Sequence, residues 1–242
     1  MGASMMLVLL PPSEGKELAG DARKPWGPES GVFGRRLDAR RAEVARRLAA
    51  VKGGDAALLG VKGAHLDRAR HANSHLLGAP SLPAWRRYTG VVWDHLDLSS
   101  LSAEARKEAT KRILVPSGLA GLVRADDPLP DYRLKMGARL APFGAMSAWW
   151  RPDLTDALAA FARGRAVVDL LPQEHRGAII AERIPGLVRV NLVSKSGGVV
   201  GGHNAKAAKG LLARHLLASR GPSLARRVSS FRHDEYEAVI DG

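Results

Sequence analysis

The run Ile113-Leu114-Val115-Pro116-Ser117-Gly118-Leu119-Ala120-Gly121-Leu122-Val123-Arg124-Ala125-Asp126-Asp127-Pro128-Leu129-Pro130-Asp131-Tyr132-Arg133-Leu134-Lys135-Met136-Gly137 decides the fold and marks a site. Its first three residues are a short apolar stretch bounded by Pro116, which predicts a buried strand that releases Ser117-Gly118 into a loop. Gly118 and Gly121 let the backbone approach another group closely or adopt positive φ. Asp126-Asp127-Pro128 is a turn signal, and Tyr132-Arg133 follows Pro130 in a segment too irregular for a plain helix. Arg133 offers a planar fork suited to a phosphate or carboxylate. Residue types alone also fit a structural loop in which Arg133 pairs with Asp126 or Asp127.

Outward from this run, Met5 to Leu10 is apolar, short and stopped by two prolines. It predicts a buried strand from whose end Ser13-Glu14-Gly15-Lys16 projects. Further strand candidates are Ala166 to Leu171 and Leu187 to Val193, with Ala178 to Ile184 open between strand and helix; Ser196-Gly197-Gly198 predicts a hairpin turn before Val199-Val200. Leu37, Val44, Leu48 and Val51 form one stripe of a helix from Arg36 to Lys52, with arginines on a basic outer face. Ser102 is an N-cap candidate for a helix to Arg112. Leu154, Leu158 and Phe161 mark another helix, stopped by Gly164. Asn204 caps a last helix to about Ser219. The fold class is therefore α/β, in the mixed α+β sense: a central mixed β-sheet with flanking helices. Residues 1–242 are expected to make one domain, with a helical subregion at about 36–77.

Within that subregion, Ala57 to Leu59, Gly60-Val61-Lys62-Gly63 and Ala64 to Ala69 read as helix, glycine hairpin and helix. The pattern resembles the helix-hairpin-helix module, whose hairpin amides and second-helix N-terminus grip DNA phosphates without reading sequence. A simple αα-corner needs the same glycines.

The 242 residues carry a net charge of +13, spread along the chain, which makes a nucleic acid or another polyanion a natural partner. Arginine- and alanine-rich composition is equally what a high-GC genome produces. Cysteine is absent, which excludes disulfides, thiolate catalysis and thiol-based peroxide sensing. Met5 to Leu10 is too short to span a bilayer and lacks the flanks of a signal peptide, so a cytoplasmic location without membrane contact is expected.

Lys16, Arg133, Lys206, Lys209 and Arg214 are the charged candidates for an anion site, with Glu14 and Asp126 as counter-charges and Ser13, Ser117 and Tyr88 as hydrogen-bonding groups. At helical spacing Lys206, Lys209, Gly210 and Arg214 share one sector, so a ligand or another backbone could approach inside a basic rim. Crowded cations would depress a lysine pKa toward base or nucleophile behaviour, which makes Lys16, Arg133 and Lys206 the catalytic candidates. No phosphate-binding Walker loop, dinucleotide fingerprint, nucleophile elbow or His-Glu-x-x-His motif occurs. His71 and His75 lack a third ligand, and Asp169 with Glu174 is a thin basis for a metal, so neither metal nor cofactor is expected. Trp149-Trp150 reads as core or cleft wall.

Ser117-Gly-Leu-x-Gly121-Leu, then Asp, then Tyr132-Arg-Leu-x-Met-Gly137 resembles the signature of the YaaA family of bacterial peroxide-stress proteins. Pro11-Pro-Ser-Glu-Gly-Lys16, Tyr88-Thr-Gly90, Trp150, Asp169-Leu with Glu174, and Ala205-Lys206-Ala-Ala-Lys209-Gly210 follow in the matching order. The resemblance implies a cytoplasmic protein that protects during hydrogen peroxide stress and limits damage linked to unincorporated iron. It also implies a basic cleft, a helix-hairpin-helix-like element and DNA binding. Where many members have Ser-Pro-Ala-Lys, only Lys16 matches. Where some have Asn-Leu-Ala-Ser-x-Glu-Tyr, this chain has Asp169 to His175. The expected DNA- or anion-binding set is Lys16, Gly60, Lys62, Gly63, Ser117, Arg133, Lys206, Lys209 and Arg214. The alternative is an enzyme acting on a phosphorylated or nucleotide-like small molecule.

Overall fold

A computed structural model describes residues 6–198, 200–219 and 223–241. The first half contains β1 (Leu7–Leu9), β2 (Asp21–Pro25), α1 (Gly34–Ala50), α2 (Ala56–Leu59), α3 (Ala64–Ser74), β3 (Pro80–Pro83), α4 (Ala84–Arg87), α5 (Val91–Leu96) and α6 (Ala103–Thr110). Then come β4 (Ile113–Ser117), β5 (Gly121–Arg124), β6 (Pro128–Pro130), β7 (Arg139–Leu140), β8 (Gly144–Ala145) and α7 (Met146–Phe161). The chain continues through β9 (Val167–Asp169), α8 (Gln173–Arg176), β10 (Leu187–Ser194), α9 (Gly202–Ala218), α10 (Leu224–Ser229) and β11 (Tyr236–Ile240).

Six strands form the main sheet in the order β11-β10-β9-β1-β4-β5. β10, β9, β1 and β4 are mutually parallel, while β5 and β11 close the two edges antiparallel. Leu7, Val8 and Leu9 are wholly buried, as a strand with parallel neighbours on both sides must be. From β1 the chain crosses to β4 on one side; from β9 it crosses to β10 on the other. The reversal lies between β1 and β9, and the carboxyl ends of strands at such a switch point form the crevice in which open α/β sheets bind ligands. Ser117 and Asp169 end β4 and β9 there, and the loop bearing Lys16 leaves from the same end of β1.

Several elements differ from the sequence expectation. β4 does not stop at Pro116: it continues to Ser117, paired with β5 through Pro116↔Leu122 and Ser117↔Gly121. Pairing with β1 ends at Leu114, so the proline's missing N–H is not needed on that side. β10 finds its antiparallel partner in β11; Val200 lies in no strand, and Val199 lies outside the described residues. Residues 178–184 are neither a strand nor an α-helix; a 3₁₀ turn occupies Ala181–Arg183. The last long helix begins at Gly202 with Gly201 as N-cap, so Asn204 sits inside its first turn. Ser102 does cap α6, accepting from the Ala105 amide at 3.2 Å.

α1 buries Leu37, Val44 and Leu48 as its periodicity requires, but Arg41 is buried with them. Its guanidinium donates to the carbonyls of Ala120 (2.9 Å), Leu122 (2.9 Å), Pro28 (3.0 Å) and Ser30 (2.6 Å). Arg41 therefore locks α1 against the signature run instead of facing solvent. Trp150 of α7 fills the other side of that run, donating from Nε1 to Gly118 O at 2.9 Å. No helix of the described residues is long and apolar enough to cross a membrane.

Candidate functional site

After β1, two prolines forbid continuation and the chain turns through Ser13-Glu14-Gly15 to Lys16, which forms an isolated antiparallel bridge with Tyr88. Trp93 of α5 anchors this loop by donating from Nε1 to Pro11 O at 3.1 Å. Gly90 has φ +116°, and a Cβ there would stand 2.8 Å from Ser13 Oγ, so the Tyr88-Thr89-Gly90 turn can lie against the loop only as glycine.

Lys16 Nζ donates to Ser13 O at 2.9 Å and lies 4.3 Å from the Tyr132 ring centroid and 5.7 Å from that of Tyr88. The Tyr132 hydroxyl is 2.8 Å from Ser117 Oγ and 3.0 Å from the Tyr88 hydroxyl, and Ser117 Oγ accepts from the Ala120 amide. Three buried hydroxyls thus form a continuous chain beside one amine.

Burial pushes the Lys16 ammonium down to about 7. Asp131 opposes that shift, Arg133 adds to it, Glu14 opposes it and Arg87 adds to it. Burial raises both phenols, Tyr88 well above the ordinary value. Near neutral pH the site therefore holds a substantially uncharged amine next to protonated phenols. That is the protonation state of a nucleophile or base paired with proton donors.

Charge gathers at the mouth. Arg133 donates from Nε to Leu59 O at 2.8 Å and from its terminal nitrogen to Glu14 Oε2 at 2.7 Å, while Lys135 Nζ takes Glu14 Oε1 at 2.7 Å. Burial works to raise Glu14, but Lys135 and Arg133 outweigh it and hold the carboxyl below its ordinary value. Asn73 receives the Arg133 amide and donates to the Arg133 and Gly53 carbonyls, tying α3 to the same segment. Arg133 is thus paired with Glu14, the expected counter-charge; Asp126 instead pairs with Arg124.

A second charged cluster sits at the end of β9. Asp169 is buried, accepts from the Leu171 amide at 2.7 Å and pairs with Arg176 at 3.0 Å. Lys209 of α9 is pushed down to about 8 by burial and by Arg176, with Asp169 opposing. Buried His175 is lowered by burial and Lys209, against Glu174, and its Nδ1 has no hydrogen-bond partner among the described residues. Glu174 Oε1 accepts from the Gly137 amide at 3.0 Å and so joins this cluster's loop to the end of the signature run. Among the described residues no group of three potential metal ligands occurs.

The structure brings Lys16, Ser117 and Arg133 into one neighbourhood, with Gly60 at its border through Leu59 and Lys135. Lys62 and Gly63 are exposed on the turn before α3, and Gly60 and Gly63 both have positive φ. The first helix of this pair is a single turn, shorter than a helix-hairpin-helix reading anticipates. Lys206 is exposed on α9. Gly210 is buried because the backbone of α5 lies against it: a Cβ would run into Val92 O. Arg214 caps the end of α5, donating to Leu96 O (2.9 Å), Asp97 O and Ser100 Oγ (2.8 Å). Tyr132 as hub of the hydroxyl chain, and Lys135 at the mouth, were not singled out from sequence; the signal was that both stand in the irregular stretch beside Arg133.

A separate groove of about 890 Å³ opens between the end of α1, α2 and the segment 137–141. Arg47, Lys52, Arg70 and Arg139 line it with Asp55 as the one acidic residue. Arg47 donates to Ala141 O and Arg70 to Gly54 O, and Asp55 is committed to capping α2 through the Leu58 amide. Lys52 and Arg139 are exposed, with no ion pair among the described residues.

Residues 6–240 match the family model described as peroxide stress protein YaaA. The UPF0246 protein SCO2297 of Streptomyces coelicolor is 36% identical over 247 residues, covering 98% of this chain and 93% of the relative. A UPF0246 protein of Corynebacterium efficiens is 35% identical, covering 88% and 86%, and one of Leptothrix cholodnii is 34% identical, covering 58% of each.

Proposed function

The chain belongs to the YaaA family of peroxide stress proteins, and from that membership we propose that it binds DNA in the cytoplasm, mainly through phosphates, and protects it during hydrogen peroxide stress. Its effect would be to limit damage linked to unincorporated iron. The observation that carries this reading is the groove at α2, where four cations face one carboxylate already committed to a helix cap. Lys62 is exposed on the turn that follows α2, and a net charge of +13 supplies long-range attraction. Phosphate contacts of this kind release counterions, so Kd should rise roughly 100-fold between about 50 and about 200 mM salt if about four phosphates are neutralised. Fluorescence anisotropy on a duplex measures this; an affinity flat across that range would sink the proposal. Lys52→Ala and Arg139→Ala should each reduce the salt slope by about one.

A second reading, an enzyme working on a phosphorylated or nucleotide-like small molecule, is supported by the Lys16 neighbourhood. A structural lysine has no need of two phenols and a serine hydroxyl in a hydrogen-bonded row beside it.

A further inference from the structure

We propose that Lys16 captures a phosphate-bearing sugar aldehyde as a Schiff base, with Tyr132 as the proton donor. The inference deepens the enzymatic reading of this site and does not require the groove at α2 to bind DNA.

The cluster has the parts such a step needs. An amine attacks a carbonyl only when uncharged, and Lys16 sits among two aromatic rings and a carbonyl acceptor, with no ion pair among the described residues. The residue is half-buried, and its loop leaves from the strand-end crevice. The Tyr132 hydroxyl lies on the ring over which the amine stands, and Ser117 and Tyr88 hold it in place. At the mouth, Arg133 and Lys135 are drawn together by Glu14, whose side chain is 56% exposed and therefore displaceable by a phosphate.

The step balances without a further reactant. Lys16 Nζ bonds to the aldehyde carbon while one of its protons passes to the carbonyl oxygen, giving a carbinolamine. Tyr132 then protonates the departing hydroxyl, which leaves as water, and the C–N bond becomes an iminium beside the phenolate. Return of the iminium proton to that phenolate leaves a neutral imine.

A sugar aldehyde next to phosphate occurs both at an abasic position in DNA and in a free aldose phosphate. The full chain is therefore treated with sodium cyanoborohydride in two arms, one with a duplex oligonucleotide holding a single abasic site and one with glyceraldehyde 3-phosphate. The reduced adduct is located by peptide mass mapping. An adduct at Lys16 in either arm, absent from Lys16→Arg, supports the proposal, and the arm that reacts identifies the source. Its rate should be half-maximal near pH 7, where Lys16 loses its proton, and roughly 100-fold lower in Tyr132→Phe. No adduct in either arm, an adduct spread over other lysines, or one that survives Lys16→Arg overturns it. Failure to trap together with salt-dependent binding of intact DNA overturns only this inference. Trapping of the aldose phosphate without DNA binding overturns only the DNA reading.

Discussion

Lys16 illustrates how one residue's burial sets both stability and chemistry. Its folded pKa of about 7 lies below the ordinary value of 10.5, so between these pH values the unfolded chain binds more protons than the folded one. Stability therefore rises with pH across that window, and the cost of burying the ammonium is felt in full below about pH 7. We expect the urea midpoint of the wild type, relative to Lys16→Met, to climb as pH goes from 7 to 10; a constant difference would show that the ammonium is not desolvated. Arg41 is the opposite case, a buried cation that stays charged because four carbonyls surround it. Arg41→Met would leave those carbonyls without donors at a cost of at least about 3 kcal/mol, measurable by denaturant unfolding. Sequence periodicity put Arg41 outside, since nothing in a helical wheel reveals that the facing surface is made of unpaired carbonyl oxygens.

Among the elements, α5 connects the two halves of the crevice. One side receives Gly210 of α9, and Trp93 holds the loop that presents Lys16. Gly210→Ala would force these helices apart, and we expect a loss of about 1–3 kcal/mol with a lower thermal midpoint. A midpoint unchanged within error would mean that the contact relaxes freely. The central strands of the crevice were legible because β1, β4 and β9 are short runs rich in Val, Ile and Leu that are buried throughout. The edges were not. β11 is half exposed, and its pairing with β10 is fixed by a partner more than forty residues away in sequence, a relation that local turn chemistry cannot express. For the same reason the glycine–cation sector of α9 was visible while its meaning was not: Gly210 serves a neighbouring backbone, and Arg214 caps it.

For the whole molecule, a charge of +13 acts with opposite signs on folding and on association. Screening relieves self-repulsion in the compact state, so about 0.3 M NaCl should raise the thermal midpoint while it weakens attachment to a polyanion. Scanning calorimetry and binding assays in the same buffers check this; a midpoint that falls with salt would show that attractive pairs outweigh the excess cations. Ser117 and Arg133 were recognisable as partners because the signature run carries both, with Lys16 added from the loop that follows the first strand. Lys209 joins a different cluster at β9, and the groove at α2 went unnamed because its cations come from three separate segments. The guanidinium of Arg133 spans these territories, gripping the last carbonyl of α2 with one edge and Glu14 with another. A lysine there would keep the charge but lose the two-edged geometry, and whichever grip it dropped would set a helix or a loop adrift.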